Sequence, residues 1–518
     1  MPGPDVLTTE PPREPPRQSR HLSAEIVRFT RRSARRHKRS LISWKDRFVD
    51  AYSWGLGIGV SLAIAASFVL ALRNEIADRA STTNSIIPGQ WLVLPEPVLW
   101  TSLTFAVLLV ISTLARKLGP MTVNGPESTW WLTLPIDRRP MVLPPFVRKV
   151  ALTGIGTAVL YLPFSMVSSV DRTPWEHLFA SITVGAAGLL AVVLAAAQQL
   201  GLLGPRLGRI TATAALLVCA VLPLLSSSPW PTALVGAAAV GLLILVAPRA
   251  GEVRGEELVR GGAVAGHAGA SLFMMDSNEV LRALSGGQRR VDGGRAARLY
   301  SRPVRGPLRA LIRADVVAFL RLHPPLTPPL LWLAASIAVL LVEGGLPEFA
   351  QLAVVVIAGC ATASGMGSVA RKTALVPELD ALLPLHPALV RTSRTLMPSV
   401  AMAVWMAILS GLLVLLGAPD PALIGVGALA GVGMGAGTLR AATRTPPDWS
   451  APPVETPFGP VPRAQLGSLM HGLDVTILAM IPLLAALYLG YVPSLVVIVQ
   501  AVFSAGIVLL VVLSRPKR

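Results

Sequence analysis

The chain has 518 residues, of which 53% are hydrophobic and 14% charged, with a formal net charge of +18. Its mean hydropathy of +0.61 excludes an ordinary soluble domain and points to a polytopic membrane protein. The basic residues lie beside apolar runs and aromatics make up only 5%, which fits an anionic cytoplasmic leaflet and excludes a base-stacking nucleic-acid platform.

Residues 1–47 are Pro-rich and then Arg-rich, and read as a disordered, basic cytoplasmic N-terminus. Within them, "RFTRRSARRHKRS" (Arg28 to Ser40) reads equally as a surface-lying helix or as a solvated positive flank. No cleavable signal precedes the first apolar run, which acts as an uncleaved anchor. About twelve runs reach the ~20 apolar residues that span a bilayer. They start near Phe48, Pro97, Val150, His177, Ile210, Trp230, Pro328, Phe349, Met397, Pro421, Val475 and Pro493, and the last ends near Leu513.

After the second run comes "ARK" (Ala115 to Lys117) and then "WWLTLPIDRRPMV" (Trp130 to Val142). Further on, Gln198, Gln199 and Gln500 are the polar exceptions within apolar runs, and read as hydrogen-bonding groups between helices. Cys219 and Cys360 fall inside apolar runs and read as small packing residues, with no disulfide or metal role.

Residues 248–306 differ in composition from both flanks. They are rich in Gly and Arg and read as a flexible cytoplasmic linker between two six-helix halves, 48–247 and 307–518. The linker contains "LSGGQRR" (Leu284 to Arg290), which matches the signature loop of ABC ATPases. Nowhere does the chain carry the G-x-x-x-x-G-K-[ST] loop that cradles phosphates, so the match is fortuitous and the chain hydrolyses no ATP. "PLRALIRADVVAFLRL" (Pro307 to Leu322) then places Leu308, Leu311, Ile312, Val316 and Leu320 on one helical face, with Arg309, Arg313 and Asp315 off it. This pattern predicts an amphipathic helix lying along the membrane before the seventh run.

In the second half, "ARK" returns at Ala370 to Lys372, followed by "LDALLPLHPALVR" (Leu379 to Arg391). The two loops form a degenerate internal repeat in equivalent places. "GVGMGAG" (Gly431 to Gly437) lies inside a run, and Gly427, Gly431 and Gly435 recur every four residues. That spacing predicts close helix packing rather than a nucleotide loop, with Met402 and Met434 lipid-facing or packing. Ionisable residues avoid the middle of the runs, with Asp50, Glu348 and Asp474 at ends, and the seven His form no ligand spacing. No catalytic, cofactor or metal constellation emerges, and the chain reads as a non-enzyme.

Lys and Arg orient the chain. With both termini cytoplasmic, the inner loops hold Arg116, Lys117, Arg138, Arg139, Arg148, Lys149, Arg206, Arg209, Arg371, Lys372, Arg391, Arg394, Arg440, Arg444 and Arg463, and the outer loops only Arg73, Arg79 and Arg172. The fold class is therefore an all-α polytopic protein of the cell membrane, with about twelve spans in two six-helix halves and both termini cytoplasmic.

Six runs per half, an amphipathic segment before a half, and short Leu-Pro loops between its second and third runs resemble the membrane subunits of type-two ABC exporters. High Ala, Gly, Pro and Arg also resembles multi-pass proteins of actinobacteria. The exporter resemblance implies that Leu134, Pro135, Ile136, Asp137, Arg138 and Arg139, and Leu383, Pro384, Leu385, His386 and Pro387, form two loops touching a separate ABC ATPase subunit. The outer element usual between the last two spans of each half is missing, since "SSSP" (Ser226 to Pro229) and "GYVP" (Gly490 to Pro493) leave no room for it. Anionic lipids are expected at the basic flanks, and nucleic acid is not a partner. A membrane scaffold or sensor, and an ion-coupled or lipid-handling carrier, are the alternative readings.

Overall fold

The computed structural model describes residues 17–41, 43–78, 86–87, 89–134, 136–169, 171–204, 206–274, 276–285, 298, 300–301, 303–322, 327–343, 345–376, 378, 380, 382–418, 420–444, 452, 454–456, 459–461 and 472–514. The first helices are α1 (Arg17–Leu41), α2 (Trp44–Asp78), α3 (Glu96–Leu118), α4 (Gly125–Trp131), α5 (Arg139–Ser168) and α6 (Pro174–Gln199). Next come α7 (Leu207–Val221), α8 (Trp230–Val246), α9 (Gly255–Phe273), α10 (Ser277–Ser285), α11 (Pro307–Leu322) and α12 (Thr327–Leu340). The last are α13 (Glu348–Met366), α14 (Ser368–Thr373), α15 (Pro387–Leu415), α16 (Leu423–Ala442), α17 (Leu473–Leu489) and α18 (Ser494–Leu513). A short antiparallel ladder, β1 (Val454–Thr456) with β2 (Gly459–Val461), is the exception to this all-helical pattern among the described residues.

Ten helices of the described residues are long and apolar enough to cross a membrane. The chain is thus a multi-pass membrane protein. Two of the apolar runs make shorter helices, Pro328–Leu340 and Leu473–Leu489. The first stops because the chain turns out to pair with Leu94, whose N–H donates to the Leu341 carbonyl at 2.9 Å while Glu343 N–H donates back at 2.8 Å. The second is bounded by glycines at both ends, Gly472 (φ +98) and Gly490 (φ +72), in the left-handed region that ends helices.

The chain divides into two units. Unit 1 comprises Met1–Asn74 and Trp100–Gly266, and unit 2 comprises Glu75–Leu99 and His267–Arg518. The centre of unit 1 is the antiparallel pair α5 and α6. A Cβ on Gly185 would sit 2.7 Å from Ala158 Cβ and 2.8 Å from the Gly154 carbonyl, and one on Gly188 would sit 2.7 Å from Thr157 Oγ1. Buried Phe146, Val150, Val192 and Val193 fill one side of this pair, and Leu108, Val184, Leu216 and Val235 the other. Helix α6 opens with a capping box in which Thr173 N–H donates to Glu176 at 2.8 Å and Glu176 N–H donates to Thr173 Oγ1 at 3.4 Å.

Unit 2 repeats the arrangement with α15 and α16. Cβ atoms on Gly427, Gly431 and Gly435 would fall 2.1 Å from Ser410 Oγ, 2.3 Å from the Met402 carbonyl and 2.3 Å from Ser399 Cα. The four-residue glycine spacing thus seats α16 flush on α15. Met402 and Met434 are fully buried, so both pack and neither faces lipid. Behind α16, Gln500 of α18 donates to the Ala479 carbonyl of α17 at 2.9 Å, and Ser504 donates to the Leu429 carbonyl at 2.7 Å. Cys219 is buried and Cys360 half-buried, both as free thiols.

Three expectations need correction. The N-terminal segment is helical over Arg17–Leu41, with Ser23 and Val27 buried. The linker is helical over Gly255–Phe273 and Ser277–Ser285. Its apolar stripe is built from small residues, which lowers its hydropathy: Cβ atoms on Gly261 and Gly262 would lie 2.7 Å from the Leu118 carbonyl and 1.9 Å from the Val123 carbonyl. Within "LSGGQRR", Gly286 to Arg290 lie outside the described residues. Finally, Asp315 of α11 is not on a solvated face. It is buried in one row with Leu311 and Phe319, whereas Leu320 is exposed. Positions four apart share a helical face, and the apolar stripe is rotated toward that row.

Substituting Gly431→Val should therefore lower stability in detergent by about 1–3 kcal/mol, since the new side chain meets backbone. Gly425→Val, where nothing lies within 4 Å, should leave the melting temperature near wild type. Equal melting temperatures for both variants would contradict this packing.

Candidate functional site: the two Leu-Pro turns

Each unit carries a Leu-Pro turn at the start of its long, Pro-containing helix. Proline restricts the residue before it and cannot donate, so Leu-Pro closes the preceding turn. In unit 1, Ile136 N–H donates to the Leu134 carbonyl at 2.9 Å. In unit 2, Leu385 N–H donates to the Leu383 carbonyl at 2.7 Å. In both copies the next side chain accepts from the N–H two residues on; His386 is the N-cap of α15, whereas Asp137 stands one residue before Arg138, the N-cap of α5. Asp137 Oδ1 accepts from Arg139 N–H at 2.9 Å, and His386 Nδ1 accepts from Ala388 N–H at 3.3 Å. The repeat seen in the letters is thus matched by two repeated hydrogen bonds, one closing on the Leu carbonyl and one to the side chain of Asp137 or His386.

The "ARK" copies behave alike as well. Arg116 Nε donates to the Ser112 carbonyl at 3.3 Å, and Arg371 Nη1 donates to the Ser364 carbonyl at 2.8 Å. Both guanidinium groups cover carbonyls in the last turns of the preceding span, where positive charge is favoured. Burial, with the nearby Arg282 guanidinium second, lowers the Arg371 guanidinium to about 10.

Around the first turn, Leu134 is exposed, Ile136, Arg138 and Arg139 are half-buried, and Asp137 is buried. Pro135 lies outside the described residues. Short helix α4 precedes the turn and projects Trp130, which is 73% exposed. The loop behind α4 is pinned by Gln199, which accepts from Met121 N–H at 3.1 Å and donates to the Met121 carbonyl at 3.0 Å. The segment before α9 docks on the turn, because a Cβ on Gly251 would be 3.2 Å from both Arg139 N and Asp137 Oδ1. Asp137 therefore holds the backbone of the turn.

Around the second turn, Pro384, His386 and Pro387 are exposed and Leu383 and Leu385 half-buried. Leu382 is 79% exposed, and Leu375 and Val376 are exposed beside it. Here α10 meets the short helix α14: Arg282, paired with Glu279 of its own helix, donates to the Arg371 carbonyl at 3.4 Å. Arg444 at the end of α16 pairs with Asp276, which also accepts from Glu279 N–H at 3.0 Å at the start of α10.

The residues missed by pattern reading lie beside this second turn. Arg394 of α15 bridges Asp315 of α11 and Asp380 of the loop, the latter at 3.1 Å. Ser393 donates to Asp315 at 2.6 Å. Burial pushes the Asp315 carboxyl up, and the Ser393 hydroxyl and Arg394 guanidinium partly offset this. Arg394 therefore ties the amphipathic helix, the loop and the span into one mechanical unit. The available signal was Asp315 standing four residues from Leu311 and from Phe319.

A family profile described as "Family of unknown function (DUF6297)" matches residues 95–452. The chain belongs to this family. The matched region contains both Leu-Pro turns, α9, α10 and both glycine-packed helix pairs. Comparison with curated proteins and with solved structures returned no match.

Arg394→Leu should lower stability by about 3–5 kcal/mol, because it strands a buried carboxylate. The double substitution Arg394→Leu with Asp315→Leu should recover most of that loss, as read by thermal unfolding of the purified chain. A double variant as unstable as the single one would contradict the pairing.

Proposed function

We propose that this chain is a permease-like subunit of an ABC-type transporter, energised by a separate ATPase subunit that docks on the two Leu-Pro turns. The observation that carries the reading is the repeated turn. In each unit the same closed Leu-Pro geometry starts a long helix, and exposed apolar side chains stand beside it: Trp130 and Leu134 in one, Leu375 and Leu382 in the other. In this reading the turns lie on the Lys/Arg-rich, cytoplasmic side, where lipid tails do not cover such side chains and a protein partner does. A partner pressing on a capped turn would move the attached span as a rigid body, and Arg394 would carry the same movement to α11.

In this reading the chain has twelve spans and both termini are cytoplasmic. The two short apolar helices complete the count by crossing where the bilayer thins or where neighbours cover their ends. Helix α1 lies along the inner surface, with Leu22 and Phe29 exposed among Arg28, Arg31, Arg32, Arg35 and Arg36, a composition suited to anionic lipid.

Two experiments test the proposal. A cysteine placed at Arg289 should be labelled only after the membrane is permeabilised, and labelling in intact cells would contradict the topology. Leu134→Glu with Leu382→Glu should abolish stimulation of a co-purifying ATPase while leaving the amount of chain in the membrane unchanged. Stimulation equal to wild type, or an ATPase that never co-purifies, would favour a scaffold instead.

A further inference from the structure

At the end of unit 2 opposite its Arg-rich loops, a cleft of about 280 Å³ opens between the α15–α16 turn, the α17–α18 turn and the start of α13. Its walls are held from inside. Gly417 (φ +100) and Gly490 (φ +72) take the left-handed conformation that lets α15 and α17 stop and the chain reverse. Asp420 links the two turns: Oδ1 accepts from Ala422 N–H at 2.8 Å and Oδ2 from Val492 N–H at 3.1 Å. The third wall, Ile86, is fixed by buried Gln351, which accepts from Ile86 N–H at 2.9 Å and donates to the Leu346 carbonyl at 2.6 Å. The cleft is thus pre-formed, as binding sites for small molecules usually are.

Its chemistry is one-signed among the described residues: Glu348 and Asp420 line it, and no described Lys, Arg or His does. Asp420 spends its oxygens on the two turns, but half-buried Glu348 has no hydrogen-bond or ion-pair partner among the described residues. Tyr488 and Tyr491 supply aromatic rings, and Leu423 and Leu487 an apolar floor. A carboxylate with no cation beside aromatic faces favours a positive charge. The apolar floor favours a body attached to that charge. No group of three His, Cys, Asp or Glu side chains suited to a metal ion occurs among the described residues, which leaves the site short of the oxygens a bare divalent cation needs.

We propose that this cleft binds an organic ammonium ion carrying an apolar body, with Glu348 as its counter-ion and Tyr488 and Tyr491 against its charged head. This stands whether or not an ATPase docks on the Leu-Pro turns. The ammonium could be a soluble amine or the headgroup of an aminophospholipid, since both present the same charge at the membrane surface.

The test uses the full chain in phosphatidylglycerol nanodiscs, with radiolabelled benzyltrimethylammonium as probe and empty nanodiscs subtracted. Wild type should show saturable binding. Glu348→Gln should weaken it about tenfold or more, equivalent to about 1.4 kcal/mol. Tyr491→Leu, which keeps every charge, should also weaken it, and the uncharged isostere neopentylbenzene should fail to compete. Adding phosphatidylethanolamine assigns the source: displacement of the probe identifies a lipid headgroup, and no displacement identifies a soluble amine. Either result keeps the cleft an ammonium site. Absence of saturable binding to wild type, equal affinity in Glu348→Gln, or competition by neopentylbenzene would overturn the proposal.

Discussion

Two close-packed helix pairs, α5 with α6 and α15 with α16, set the position of most other elements in their units. Both rest on the same interaction, a glycine placed where any side chain would strike the neighbouring helix. A Cβ at Gly185 meets Ala158 and Gly154, and one at Gly431 meets the Met402 carbonyl. In a bilayer, apolar side chains gain little by leaving lipid, so helices associate through close approach and a few buried hydrogen bonds. The remaining spans gather around these pairs. Gln500 and Ser504 then join α18 to carbonyls of α17 and α16.

The ends of the pairs inherit this rigidity. At one end, α5 and α15 begin beside a turn closed on a Leu carbonyl, with the side chain of Asp137 or His386 accepting from the N–H two residues on. At the other end of unit 2, Gly417 and Asp420 shape one wall of an acidic cleft. One helix, α15, runs from Pro387 beside the second turn to Leu415 beside the cleft. In the transporter proposed above, this helix would couple the two ends of the unit.

Much of this was legible in the letters. Long apolar runs became helices because backbone groups in lipid have to be satisfied within the chain, which leaves helices as the local solution. The Gly427, Gly431 and Gly435 spacing foretold one packed pair, and the two Leu-Pro segments foretold two equivalent turns. The segment at 248–306 was misleading because its buried stripe uses Gly and Ala, which hydropathy does not separate from loop. Asp315 was placed off the apolar stripe, whereas it is buried and satisfied by Arg394 and Ser393, some 80 residues away in sequence. Pairing at that distance leaves no local pattern. Arg138 and Arg139 are half-buried, and the large apolar groups Trp130 and Leu134 beside them are exposed, a difference that charge and hydropathy patterns do not carry.

The central claim is that the two turns face one kind of protein partner. The most direct measurement is photo-crosslinking in living cells from benzoylphenylalanine placed singly at Leu134 and at Leu382, with products identified by mass spectrometry. The account predicts that both positions capture the same nucleotide-binding ATPase subunit, and that a probe at Tyr488, beside the cleft, does not. Crosslinks from Leu134 and Leu382 to lipid alone, or to other copies of this chain alone, would contradict it.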